Sequence, residues 1–266
     1  MGLGSGFLED FIELKRAGAL DGVRRVAEIG AQQLADTFLT CDKLLDELYG
    51  LFGTRRVDLG RPCGAENFTK KAPPSGPFWT SLGFELTAID YDGHRNSIAL
   101  DLNTAEVPPE LRGAFDLVVN VGTSEHVANQ SNCFRVMHDL VRKGGIMHHE
   151  VPVCLIGHGL FNYSPKFFLQ LMRENDYEPI LLRTSFERAG SPPRRSPIPS
   201  FVHVMNRKWG RGVKLNVEAI PELSITAAFQ KMYERDFCQP LDLPRGLMVR
   251  RYLRRPRSLK HLIPLR

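Results

Sequence analysis

The sequence predicts an α/β protein, built on a mostly parallel sheet of seven strands with helices on both faces and the last strand antiparallel. Short apolar runs rich in β-branched residues, such as FDLVVN at 115–120, alternate along the chain with segments of helical periodicity. Because parallel strands need a crossover, usually a helix, this alternation favours βαβ units. The last two predicted strands have no helix between them, so we expect that pair to be antiparallel.

Hydrophobic periodicity places the elements of the N-terminal half. Residues 5–18 predict a short helix, and residues 23–29 predict a strand. Residues 41–52 carry leucines at helical spacing, and Gly53 supplies the end of that helix. Residues 53–82 hold four prolines and four glycines without any period, so we expect a long irregular insertion there.

Glycine and proline delimit the elements of the C-terminal half. Ser164 and Pro165 are typical of a helix start, with serine as the N-cap and proline in the first turn. Residues 187–199 are proline-rich and predict a loop. The further predicted strands are 84–90, 97–101, 115–120, 146–151, 179–184 and 201–206, and the further helices are 130–142, 164 onward and 222–235.

The composition is that of a globular protein. Hydrophobic residues make up 42% of the chain and charged residues 24%, which excludes global disorder. No apolar run approaches the roughly 18 residues that span a bilayer, and the N-terminus lacks the basic and apolar regions of a signal peptide. The five cysteines are widely spaced without a C-x-x-C pair. This pattern predicts free thiols in a reducing, cytoplasmic environment, and it disfavours a disulfide framework.

We expect one domain with two appendages. Residues 1–22 form an N-terminal helix, residues 23–210 form the main domain with the insertion 53–82, and residues 211–266 form a C-terminal helix and a basic tail. The insertion and that last helix are expected to cover the site as a lid. The net charge of +5 comes from the tail, which carries eight Lys and Arg and no acid from residue 245 onward. Such a tail is compatible with nucleic acid, an anionic membrane surface or an acidic partner, and equally with a solvated segment.

Polar residues follow the end of every predicted strand in the first part of the sheet. In open α/β sheets, ligands bind beyond the carboxyl ends of the strands, near the point where strand order reverses. We therefore expect a binding site among these residues. The residues of interest at or just beyond the strand ends are Glu28, Gly30 and Gln32 for the first strand, Asp90 and Tyr91 for the second, Asp101 and Leu102 for the third, Asn120, Gly122, Glu125 and His126 for the fourth, and His148, His149 and Glu150 for the fifth.

The order of these residues resembles the class I S-adenosylmethionine-dependent methyltransferases over about residues 23–206, which implies a Rossmann-like fold and that cofactor. In that family an acid and a glycine end the first strand, matched by Glu28 and Gly30. An acid that ends the second strand accepts two hydrogen bonds from the ribose diol, matched by Asp90. An acid after the third strand meets the adenine amino group, matched by Asp101. The resemblance implies cofactor contacts at Glu28, Gly30, Gln32, Asp90, Tyr91, Asp101, Leu102, Asn120 and Gly122.

A later segment adds to the resemblance, and one feature departs from it. HGLFNYSP at 158–165 is similar to a segment in methyltransferases of bacterial surface-polysaccharide and natural-product gene clusters.

The family's first motif is usually acid-x-Gly-x-Gly-x-Gly, whose glycines let the backbone approach the ligand closely. Here Gln32 and Leu34 replace the second and third glycines. A glutamine there either bonds the cofactor or obstructs it, so a non-catalytic binding or scaffold protein is the alternative.

Methyl transfer to an oxygen or nitrogen also needs a base near neutral pH, and histidine is the usual choice. We expect a small-molecule or glycan-like acceptor, with His126 and His149 as the favoured catalytic residues and Glu125 and His158 next. A hydrogen-bonded structural role is the alternative for each histidine.

Other function classes fit the sequence less well. The H-x-E at 148–150 lacks the P-C-x-x-C of a deaminase, and the motifs of serine hydrolases and P-loop proteins are absent. Asn120 is followed by Val-Gly-Thr rather than by the Pro-Pro-aromatic run of base methylation, which disfavours nucleic acid as the substrate. His148, Glu150 and His158 have the ligand types of a metal site. Half-buried strand positions need not converge, however, so no metal is predicted.

Overall fold

The structure is a computed structural model of the chain, and it describes residues 2–64, 67, 71–155, 158–188, 191–196 and 222–242. The helices are α1 (Ser5–Arg16), α2 (Asp36–Leu39), α3 (Asp42–Phe52), α4 (Gly76–Ser81), α5 (Gln130–Leu140) and α6 (Pro165–Glu174). The strands are β1 (Arg25–Ile29), β2 (Glu85–Asp90), β3 (Ile98–Ala99), β4 (Phe115–Val121), β5 (Val141–Cys154), β6 (Glu178–Arg188), β7 (Ser191–Ser196) and β8 (Glu222–Gln230).

The strands form one mixed sheet in the order β3-β2-β1-β4-β5-β8-β6-β7. β1 to β5 pair in parallel, β8 lies antiparallel between β5 and β6, and β7 pairs antiparallel with β6. The predicted α/β fold, Rossmann-like and mostly parallel with an antiparallel end, is confirmed, although the described sheet has eight strands where seven were expected. Strand order reverses between β1 and β4, so the carboxyl ends of these two strands flank the crevice where such sheets bind ligands.

Helices cover both faces of the sheet, as predicted. One face packs against α1 to α4 through a cluster that includes Phe7, Phe11, Phe78 and Trp79. The other face packs against α5 and α6. The central strands β1 and β4 are therefore buried on both faces along most of their length, which explains why burial does not alternate along either of them.

Local signals for helix ends are confirmed. α6 begins after Ser164, whose side chain accepts a hydrogen bond from Lys166 N at 3.2 Å, and Pro165 is its first residue. α3 ends at Gly53, which adopts a left-handed φ of +65°. All five cysteines are free thiols, and no helix in the described ranges is long and apolar enough to cross a membrane.

The predicted helix at 222–235 is wrong, because its first nine residues form β8. β8 lies in the sheet between β5 and β6, so both of its edges are paired. Both of its faces are also covered, because Ile225 and Phe229 pack in the core on one face of the sheet and Ala228 packs in the core on the other. A strand buried on both faces has no period-two alternation. Its apolar residues Ile225 and Phe229 stand four apart, which is equally compatible with a helix. The expected lid therefore loses its helical part.

The predicted loop at 187–199 is also wrong over Ser191–Ser196, which forms β7 and pairs with β6. Proline is tolerated in a strand at the edge of a sheet, where its missing N–H breaks no ladder. The predicted strand at 201–206 and the basic tail from residue 245 lie outside the described residues.

The expected insertion at 53–82 ends in the core rather than over it. Its last part contains the short helix α4, whose Phe78 and Trp79 are fully buried. The ring of Trp79 packs edge-to-face against Phe7 at 5.8 Å and Phe11 at 5.4 Å, both on α1. This docking brings the insertion under the end of β1.

Candidate active site at the carboxyl ends of the strands

Gly30 lies at the point where strand order reverses. Its φ is +79°, and a Cβ at this position would overlap the Oγ1 atom of Thr123 in the loop after β4. Glycine is therefore required for both conformation and space.

Glu28 is buried beneath the loop that follows β1. Its Oε2 accepts hydrogen bonds from Gln32 N at 3.1 Å and Ser75 Oγ at 2.7 Å, and its Oε1 accepts one from Trp79 Nε1 at 3.0 Å. Burial raises the pKa of Glu28 to about 7, and the three hydrogen bonds oppose that rise. Glu28 thus ties the loop to α4 and the segment before it.

Gln32 and Leu34, which stand in place of the second and third motif glycines, lie in different surroundings. Leu34 is fully buried and pairs with Leu3 beside α1, so it belongs to the core. Gln32 is 4% exposed, and its Nε2 donates to Ile29 O and to Thr123 Oγ1, each at 3.0 Å. The side chain of Gln32 therefore links the loops after β1 and β4.

Asp90 ends β2 and faces the same loop. Its Oδ2 accepts a hydrogen bond from Ala31 N at 2.8 Å, and its Oδ1 accepts one from Tyr91 N at 2.7 Å. A carboxylate has about four acceptor positions, so about two remain for a ligand. Tyr91 itself is 74% exposed and packs on nothing in the described core.

Asp101 caps the turn that follows β3. It accepts hydrogen bonds from Asn103 N at 2.9 Å and from Thr104 Oγ1 at 3.0 Å, and the bond from the Asn103 backbone is the main cause that lowers its pKa. Leu102 is nearly buried in the core. Asn103 in turn accepts from Asn129 N at 3.0 Å, which anchors this turn at the start of α5.

Asn120 is fully buried and holds the loop after β4 from below. Its Nδ2 donates to Ser124 Oγ at 2.9 Å, and its Oδ1 accepts from Ser124 N at 3.1 Å. Gly122 has a φ of +68°, and its N–H donates to Glu150 O at 3.0 Å. Both residues shape the loop from within rather than facing outward.

His149 lies apart from the other predicted catalytic residues. It is fully buried among the rings of Phe134, Phe168 and Phe229, with ring centroids 5.1–5.6 Å away. Its Nδ1 lies 3.2 Å from Asn120 Nδ2. Burial lowers the pKa of His149 to about 3, so the ring is neutral. This geometry favours the structural alternative for His149.

Glu125, His126 and His158, in contrast, form one cluster. Each offers one donor atom, and these atoms all lie within 4.8 Å of one another. Glu125 is fully buried, with His158 Nε2 3.4 Å from its Oε1, and the rings of His126 and His158 stand 4.8 Å apart. Burial raises the pKa of Glu125 to about 7, and burial together with the nearby His158 lowers the pKa of His126.

The segment after β5 positions this cluster. Glu125 O accepts hydrogen bonds from Leu160 N at 2.7 Å and from Phe161 N at 3.1 Å. A Cβ on Gly159 would come within 2.7 Å of Glu125 Cγ, so a glycine is needed there. The Tyr163 hydroxyl lies 2.9 Å from Ser124 Oγ, next to Glu125. The sequence did not single out Gly159, although a glycine inside the HGLFNYSP run was a usable signal.

The three residues with metal-ligand side chains that the sequence analysis considered, His148, Glu150 and His158, do not come together in one site. His148 is buried on the opposite face of the sheet, where its ring packs on Phe7 at 5.4 Å and its Nε2 lies 3.6 Å from Asp10. Of that set, only His158 enters a cluster of possible metal ligands within the described chain.

Comparisons with known proteins give similarity to solved structures alone. No family model matches the chain, and no curated protein matches it. The N1-methyltransferase of 1,6-didemethyltoxoflavin from Burkholderia thailandensis, solved with S-adenosylhomocysteine, is 12% identical, with 84% of this chain and 78% of that one covered at a TM-score of 0.41. A SAM-dependent methyltransferase from Archaeoglobus fulgidus is 13% identical, with coverage of 84% and 93% and a TM-score of 0.41. The [4+2]-cyclase SpnF is 11% identical, with coverage of 84% and 81% and a TM-score of 0.41. The strand order, with β8 antiparallel between β5 and β6, is that of a Rossmann-like, mostly parallel sheet with an antiparallel end.

Proposed function

We propose that this chain is an S-adenosylmethionine-dependent methyltransferase that acts on an oxygen or nitrogen of a small-molecule or glycan-like acceptor. The observation that carries the proposal is the pairing of a bare glycine with a partly free carboxylate where strand order reverses. Position 30 has no room for a side chain, and the residue that follows it, Ala31, donates its N–H to Asp90 Oδ2 at 2.8 Å. These are the two features that an adenosyl cofactor needs at this place in such a sheet.

Two further observations favour a fit to the cofactor. The carboxylate of Asp90 keeps about two acceptor positions, which is the number that a ribose diol requires. Asp101 and Leu102 lie on the neighbouring turn, where an acid can accept from the adenine amino group and an apolar side chain can pack on the ring. Glu28 and Asn120 are positioning residues in this proposal, because both are buried and hold the two loops.

The chemistry is a displacement at a methyl carbon, which depends mainly on positioning. When bound, S-adenosylmethionine supplies a methyl group to which the acceptor's lone pair bonds as the C–S electron pair returns to sulfur. The acceptor's proton must also leave. Glu125, His126 and His158 stand in and beside the loop after β4, and we propose that this cluster activates the acceptor. His149, enclosed in the core, takes no part.

Calorimetric titration of the full chain with S-adenosylhomocysteine tests this proposal. We expect saturable binding that Asp90→Ala weakens at least about 10-fold, because hydrogen bonds to a charged group contribute about 1.5–3 kcal/mol each. Asp92→Ala is the matched control, since Asp92 is an exposed acid on the same loop whose contact is His94 N at 2.9 Å. Melting temperatures verify that both variants fold. Absence of binding by the folded wild type would overturn the cofactor assignment.

A non-catalytic binding protein is the second candidate, and Gln32 favours it. Its buried side chain stands next to Gly30, where the family's second glycine leaves space. If Gln32 obstructs the cofactor, Gln32→Gly restores binding of S-adenosylhomocysteine that the wild type lacks. If neither the wild type nor Gln32→Gly binds S-adenosylhomocysteine, a non-catalytic binding or scaffold function is the better explanation of the fold.

A further inference from the structure

Glu125 differs from the other buried carboxylates of the described chain. Asp10 pairs with Arg183 and accepts from Thr226 Oγ1 at 3.0 Å, and Glu28 accepts three hydrogen bonds. Neither carboxylate oxygen of Glu125 receives a hydrogen bond from another residue in the described chain, although the side chain is 0% exposed. Burying an ionised carboxylate without donors is costly unless it takes up a proton or a positive charge joins it. The two imidazoles beside Glu125 are common metal ligands, so a bound metal ion can supply that charge.

We propose that Glu125, His126 and His158 form a binding site for a divalent transition-metal ion of the Zn²⁺ or Fe²⁺ class. Two imidazole nitrogens and one carboxylate oxygen form the ligand set of many catalytic zinc sites and of mononuclear iron(II) sites. Three protein ligands leave coordination positions open for water or for a substrate atom.

The distances within the cluster suit such an ion. Around a metal about 2.1 Å from each ligand, tetrahedral donor atoms stand about 3.4 Å apart. His158 Nε2 and Glu125 Oε1 are 3.4 Å apart, and the donor atoms of all three residues lie within 4.8 Å of one another. The donor atom of His126 must move closer to the other two, and its exposed ring has space to rotate.

The surroundings fix the backbone at Glu125 and leave the two imidazoles accessible. The hydrogen bonds from Leu160 N and Phe161 N to Glu125 O hold the two loops together behind the cluster. His126 is exposed and the side chain of His158 is 25% exposed, so an ion can enter from solvent. A metal site needs such an entry path as well as ligands at the right separation.

One consequence rests on the proposed methyltransferase function. An acceptor oxygen or nitrogen that takes an open position on the ion has a lowered pKa. It then loses its proton to solvent before its lone pair bonds to the methyl carbon. The cluster would thus activate the acceptor through the ion rather than by direct proton abstraction.

Calorimetric titration of untagged, chelator-treated full-length protein with Zn²⁺ tests the site. We expect one equivalent to bind, with affinity about 100-fold or more weaker in His126→Ala, His158→Ala and Glu125→Gln. His94→Ala is the matched control, since His94 is an exposed histidine outside the cluster, and it should bind as the wild type does. Titration with Co²⁺ gives a second readout, because ligand-field absorption bands should appear in the wild type and be lost in His126→Ala.

Equal Zn²⁺ affinity in the wild type and in His126→Ala and His158→Ala would overturn the inference. These two variants change side chains that reach solvent, so the test stands even if Glu125→Gln does not fold. Titration with S-adenosylhomocysteine on the same metal-free protein separates the two proposals. Cofactor binding without metal binding refutes only the metal site, and metal binding without cofactor binding refutes only the methyltransferase.

Discussion

Replacing Glu28 by glutamine tests whether the acid beneath the loop after β1 holds a proton in the folded protein. Glu28 is 1% exposed, and burial raises its pKa from 4.5 to about 7 against the effect of its three hydrogen bonds. In the unfolded chain the same carboxyl titrates near its ordinary value. Folding stability must therefore change with pH between these two values.

The sign and the size follow from the direction of the shift. Between pH 4.5 and about 7 the folded protein binds more protons at Glu28 than the unfolded chain does, so stability falls as the pH rises through this window. At about 1.36 kcal/mol per pKa unit, the loss reaches about 3 kcal/mol. Above pH 7 the ionised carboxylate remains buried, and the contribution no longer changes.

Urea unfolding of the wild type and Glu28→Gln at pH 5 and pH 8 measures this effect. The difference in unfolding free energy between the two proteins should shift by about 2–3 kcal/mol in favour of Glu28→Gln at the higher pH. Glu85→Gln, which changes an exposed acid on β2, should show no such shift. A difference that is constant with pH, or that shifts the other way, would mean that the three hydrogen bonds outweigh the burial of Glu28.

Two further substitutions test buried contacts, one beside α1 away from the site and one within it. Asp10→Ala should lower the unfolding free energy by about 3 kcal/mol in urea titrations, because it removes the buried one of the two acids, Asp10 and Glu13, that pair with the half-buried Arg183. A loss below about 1 kcal/mol would contradict this account. Gly30→Ala should cost about 2 kcal/mol or more and weaken S-adenosylhomocysteine binding, because the new Cβ adds overlap with Thr123 to the strain of a left-handed φ. Gly53→Ala is its control, with a φ of +65° and open space around the Cβ, and equal losses in the two variants would refute the overlap.

Much of the fold could be predicted because its signals are local. FDLVVN is a buried strand by its own residues, and Ser164-Pro165 marks the start of α6 without reference to the rest of the chain. The alternation of such elements implies crossovers, and crossovers imply a parallel sheet. These steps need no knowledge of which strand pairs with which.

The C-terminal strands could not be predicted from local signals. β8 is inserted between β5 and β6, so every residue in it is surrounded by partners distant in sequence. Once both faces are covered, the alternation that identifies a strand disappears, and Ile225 and Phe229 match a helical spacing as well. Tertiary pairing decides the conformation of this segment.

The sequence places the candidate site at the ends of the strands. It does not predict which side chains of that site contact one another. Alternation along β5 predicts that His148 and His149 face opposite sides of the sheet, and their different ring neighbours, Phe7 and Phe134, confirm it. Alternation does not reveal that α5 and α6 enclose His149. It also does not bring His158 to Glu125, because that contact depends on how the segment after β5 folds back over the loop after β4.

The insertion supports the loop after β1, in which Gln32 and Leu34 stand where the motif that the sequence resembles has glycines. Leu34 N donates to Pro73 O at 2.8 Å, and Ser75 N donates to Gln32 O at 3.1 Å, so the loop after β1 pairs with the insertion along its length. The hydroxyl of Ser75 then reaches the buried carboxylate of Glu28 at 2.7 Å. In the motif that the sequence resembles, glycines fill these positions. Here hydrogen bonds from the insertion hold the loop and positions 32 and 34 carry side chains, while Gly30 alone of the three retains the steric requirement.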